Sequence, residues 1–133
     1  MEFLILVAGI LLTTTSLFYL SLVNNEIATI TQAAHDGTES AIAAIETKYG
    51  CSLNLDYLQL RDNLIEISIV IVSAPSENIN WLEFKENIVK KTVEEYVLNH
   101  IQHALGARPS TTNTVKTAFC TYVVSIRLKE GTL

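Results

Sequence analysis

The first 47 residues contain no lysine and no arginine, and the whole 133-residue chain has only 9 bases against 14 acids. No basic cluster is therefore present to displace counterions from a phosphate backbone, which excludes a general nucleic-acid binder. Two cysteines, Cys51 and Cys120, are too few for a disulfide-dense scaffold or a four-cysteine zinc site. Five scattered glycines form neither a phosphate-cradling loop nor a dinucleotide turn, and G-x-S-x-G and H-E-x-x-H are missing as well. There is no N-x-S/T sequon. Charged residues make up 17% of the chain, below the roughly one quarter of ordinary soluble domains. With 49% hydrophobic residues, a disordered chain is excluded too.

The charge is unevenly placed. Residues 1–47 hold Glu2, Glu26, Asp36, Glu39 and Glu46 and so carry the whole net charge of −5, while the remainder is neutral. Phe3 to Asn25 form a run of 23 uncharged residues. As a helix this run is about 35 Å long, matching a hydrocarbon core of about 30 Å. A secretory signal peptide would need a basic leader region, whereas the only charge here is Glu2. A core helix apolar on all sides would need a larger protein around it. The expectation is a membrane-inserted helix that lacks the usual basic flank.

Beyond Asn25 the pattern becomes amphipathic. Ile27, Ile30, Ala34, Gly37, Ala41, Ile45 and Tyr49 recur at steps of three and four, a single apolar stripe. No proline precedes Pro75, and Gly50 is placed to end the helix. One helix is therefore predicted over about residues 3–49, with an apolar segment to residue 25 and an amphipathic continuation over 26–50. No Gly/Ser/Pro linker separates the two.

Residues 51–133 are expected to form the globular part. Residues 51–60 alternate, residues 64–72 are β-branched, and Arg61-Asp62-Asn63 supplies a turn, so a hairpin is predicted. Asn80 and Glu83 resemble a capping box opening an amphipathic helix over 80–105. Residues 114–128 read as one long strand. The predicted fold class is α+β: a long N-terminal hydrophobic helix, then a small domain with a three-stranded antiparallel sheet and one further helix. Cys51 and Cys120 both fall on apolar strand faces. Neighbouring strands would let them pair, and a domain outside the cytosol would favour a disulfide.

Little else points to chemistry. His100 and His103 are spaced i, i+3, but a metal site needs a third ligand, so both read as ordinary residues near a helix end. His35 beside Asp36 reads as surface. No cofactor, metal or enzymatic activity is implied.

An acid at the start of an apolar helix that runs on into a small sheet domain resembles the mature subunit of a type IV pilin-like filament. E-F-L-I-L-V at residues 2–7 is similar to the archaeal class III signal-peptide pilins, whose motif has a glutamate, then Phe or Tyr, then aliphatics. The family motif carries Gln and Ser upstream of that glutamate, where this chain has Met1. The resemblance implies processing by a prepilin peptidase, a membrane stage, export by a pilus assembly machinery, and a helical homopolymer on the cell surface serving attachment. Glu2 would match the family's core glutamate. Phe3, Gly9, Phe18, Ala34 and Gly37 are the further candidate assembly residues, chosen as packing or close-approach positions along the helix. The competing expectation is a bitopic, membrane-anchored extracytoplasmic binding or scaffold module that does not polymerise. An anchored enzyme would need a polar cluster that the sequence does not offer.

Overall fold

The computed structural model describes residues 2–76, 78–106, 113–117 and 120–131, with side chains described from residue 24 onward. The chain begins with a single helix, α1 (Glu2–Tyr49). Gly50 at φ 65° ends it, and its N–H returns to the Glu46 carbonyl at 3.0 Å. Strands β1 (Ser52–Arg61) and β2 (Leu64–Ser73) follow as an antiparallel hairpin. Asp62 takes a positive φ of 54° in the two-residue turn, a conformation that aspartate tolerates better than most residues. A bulge between Leu55 and Tyr57 shifts the register of the pair.

The second helical rod has three parts: α2 (Trp81–Glu83), a π-helical segment (Phe84–Lys90) and α3 (Lys91–Leu105). The Asn80 side chain caps its start, accepting from the N–H groups of Leu82 and Glu83 at 3.0 and 3.2 Å. Gly106 in the left-handed conformation closes it. Strand β3 (Thr114–Lys116) then turns back into β4 (Thr121–Glu130).

The sheet corrects the expected fold class. It has four strands in the order β1-β2-β4-β3, and it is mixed, because β4 runs parallel to β2. The helical rod between β2 and β4 acts as a crossover. It carries the chain back to the end of the sheet where β2 began, so β4 enters in the same direction. The strand expected over 114–128 is broken where Thr117 turns the chain. Its N–H and hydroxyl both donate to the Cys120 carbonyl, at 2.9 and 3.0 Å. The hydrophobic helix is corrected as well. Among the residues whose side chains are described, from residue 24, no helix is long and apolar enough to cross a membrane, and that part of α1 is apolar along one side only.

Both helices pack on one face of the sheet. Ile65, Ile67, Ile69 and Ile71 of β2 form the floor, with Leu53, Val115, Tyr122 and Val124 beside them. Phe84, Val89, Val93, Val97 and Ile101 descend from the rod, and Ile30, Ala34, Ala41 and Ile45 from α1. The stripe of α1 thus enters the core from Ile30, whereas Ile27 stays 38% exposed. Val93, Val97 and Ile101 keep the one-turn spacing that an amphipathic helix requires. Thr38 is fully buried in this layer and donates its hydroxyl to the Ala34 carbonyl at 2.8 Å. The opposite sheet face mixes Leu64, Val70 and the exposed Val123 with polar pairs, Lys129 bonded to Asp56 and Gln59 to Glu66.

Candidate functional site

The candidate site is the part of α1 nearest the N-terminus and the surfaces around it. Three features place α1 on the domain. At its C-terminal end the Glu46 carboxylate accepts from the Leu53 N–H at 3.0 Å, tying the helix to the first turn of β1. In the middle Gly37 lies against the backbone of α3. A Cβ there would sit 2.9 Å from both the Tyr96 carbonyl oxygen and the Val97 Cα, so only glycine allows this approach without displacement. Toward the N-terminus the Tyr122 hydroxyl donates to Glu26 Oε2 at 3.1 Å.

Tyr122 is 3% exposed. Burial, with the Cys120 thiol and the Glu26 carboxylate against the hydroxyl, pushes its phenol well above the ordinary range. The phenol therefore stays protonated as the donor to Glu26. This is the described hydrogen bond closest to the N-terminus that ties α1 to the sheet. Neither residue was singled out from the sequence. The available signal was a tyrosine on the inward face of a strand, since a buried phenol calls for a partner.

Of the expected assembly residues, Ala34 is fully buried and Gly37 faces α3 within the same chain. The close packing they permit is intramolecular, and neither is presented to a neighbour. Glu2, Phe3, Gly9 and Phe18 lie on α1, and their side chains fall outside the described residues.

The expected disulfide is corrected: Cys51 and Cys120 are both free. Cys51 sits beside the Ile45 carbonyl and Cys120 beside Tyr122, which itself meets Glu26. Ile45 and Glu26 are 19 residues apart on one helix, about 28 Å at ~1.5 Å per residue. A disulfide needs Cα atoms within about 7 Å. The parallel placement of β4 is the cause, because it sets the start of β4 at the opposite end of the sheet from the start of β1. Burial pushes the Cys51 thiol up, and the neighbouring Glu46 carboxylate adds to the effect.

A groove of about 520 Å³ runs between the two helices on the side away from the sheet. Ala28, Thr29, Gln32 and Asp36 of α1 form one wall, and His100 and Ala104 of α3 the other. Asp36 already has partners, accepting from Gln32 Nε2 at 2.9 Å with His35 at 3.6 Å. His100 Nδ1 lies 2.8 Å from the Tyr96 carbonyl, which fixes the ring against its own helix. A second depression, of about 450 Å³, adjoins at His100 and reaches His103. Among the described residues no group of three or more His, Cys, Asp or Glu side chains is placed to hold a metal ion.

The chain matches no family model, no curated protein and no solved structure.

Proposed function

We propose that this chain is a structural subunit of a type IV pilus-like filament, polymerising through the uncharged N-terminal part of α1 and acting in surface attachment. The supporting observation is the continuity of α1. The same helix that holds the uncharged run Phe3–Asn25 is hydrogen-bonded to a folded domain at Glu26 and Glu46 and packed closely against it at Gly37. A plain anchor needs no such rigid continuation and is more simply joined by a flexible linker. A rigid rod fixes the domain relative to its uncharged end, and repeating one such heterologous contact generates a helical fibre. Apolar burial of about 25 cal/mol per Å² would drive the bundling of the uncharged segments. The filament would be extracellular, its subunits held in the membrane before assembly. The E-F-L-I-L-V start supports the same reading by its similarity to archaeal pilins.

The test is to shear producing cells, pellet the released material, image it by negative-stain electron microscopy and sequence the N-terminus of the subunit. Thin filaments made of this chain are the expected result. A chain that stays monomeric in detergent-extracted membranes would overturn the proposal in favour of an anchored module.

A further inference from the structure

We infer that the groove between α1 and α3 is the seat for the uncharged N-terminal helical segment of a second copy of this chain. The inference rests on the filament reading and names the surface through which one subunit receives the next.

Three observations carry it. The first is continuity. The groove follows α1 from Asp36 back to Ala28, and the uncharged segment of the same helix begins at Asn25, three residues further on. Glu26 is the described residue nearest the N-terminus that bonds to the sheet, and α3 ends at Leu105. A helix laid in the groove thus runs alongside this copy's own uncharged segment, and the two can cover one another. The second is shape. Ala28 and Ala104 rise on opposite walls and the mostly buried Ala33 lies between. Side chains this small admit a third helix at an axial separation near the lower limit of about 8 Å. The third is charge. The single carboxylate of the groove, Asp36, lies at the end farthest from the uncharged segment, where Gln32 and His35 flank it, and no Lys or Arg lines the walls. An acidic peptide finds no counter-ion there, whereas a segment with no charge leaves none unpaired. That segment needs apolar cover, and this chain supplies 23 such residues per copy.

The experiment uses the full chain. Ala28 and Ala104 are exposed, so Ala28→Trp and Ala104→Trp fill the groove without entering the core. Ser125→Trp, exposed on the outer sheet face, is the control. The expected result is a tenfold or greater fall in pelletable filament for the two groove variants and none for the control, with unchanged melting for all three. Cross-linking then identifies the occupant. In a Cys120→Ser background, copies carrying Ala104→Cys are co-assembled with copies carrying one cysteine at a position from 5 to 20. Oxidation should join the two kinds of copy at positions one helical turn apart. Filaments of normal yield from Ala104→Trp would overturn the inference and leave the filament reading intact. So would cross-links only between two Ala104→Cys copies, which would mean that groove meets groove. Failure of the unaltered chain to form filaments would defeat both.

Discussion

Gly37 offers the sharpest quantitative test of how α1 is held. A methyl group there would lie 2.9 Å from two backbone atoms of α3, and ordinary van der Waals contact begins near 3.4 Å. Backbone atoms in mid-helix cannot rotate away as a side chain can, so the two helices must part by about half an ångström over the contact. Overpacking of this kind costs about 1–3 kcal/mol. Against it stands the helix propensity of alanine, about 1 kcal/mol better than glycine. The difference of those terms leaves Gly37→Ala less stable by about 0–2 kcal/mol, centred near 1. At roughly 4–8 °C per kcal/mol for a domain of this size, the melting temperature falls by up to about 16 °C. Thermal unfolding of the full chain in mild detergent, followed by circular dichroism, measures it. Ala43→Gly, on the exposed side of the same helix, calibrates the propensity term in place. If Gly37→Ala raises stability by about what Ala43→Gly removes, the close approach imposes no penalty and the reasoning fails.

Tyr122→Phe removes the hydroxyl that donates to Glu26 and should cost about 0.5–1.5 kcal/mol at neutral pH. Its pH dependence follows from the raised phenol in the folded chain. That contribution is intact below the ordinary tyrosine value of about 10 and is lost as pH rises from there toward the folded value. Urea midpoints should therefore fall more steeply above pH 10 for the unaltered chain than for Tyr122→Phe, and parallel curves would remove the argument. The cysteines should differ in reactivity under native conditions, with iodoacetamide labelling Cys120 well before the buried Cys51. Peptide mass spectrometry reads the order, and equal rates or a Cys51–Cys120 disulfide would contradict the placement of β4.

How much of this was legible in the sequence depends on whether a feature is local. The stripe on α1, the Asp62 turn, the Asn80 cap and the Gly106 stop are each written within a few residues, and the structure has these elements at those places. Strand direction is not local. Residues 114–128 read as one strand because Ala118, Cys120, Tyr122, Val124, Ile126 and Leu128 alternate onto one face, and the turn at Thr117 is marked only by Val115, which is buried too but out of phase with them. The antiparallel sheet was expected by extending the hairpin, although a rod of about 25 residues between β2 and β4 is the length a parallel crossover requires. The disulfide expectation depended on the first and last strands being neighbours, and β2 lies between β1 and β4.

The same non-local step explains where the small residues of α1 lie. Small residues on α1 signal that something approaches closely, and the sequence leaves open what does. For Ala34 and Gly37 the answer is the chain's own core and α3, because the crossover rod must lie on the sheet face that α1 also covers. Once α3 occupies that side, the small residues still free to meet another chain are those one step around the helix, where Ala28 faces Ala104 across the groove. Intramolecular packing thus takes the stripe that is strongest in the sequence. It leaves a weaker one, invisible without α3, lining the groove. Substitutions at Ala34 and Gly37 should consequently be read out in melting temperature, and substitutions at Ala28 and Ala104 in filament yield.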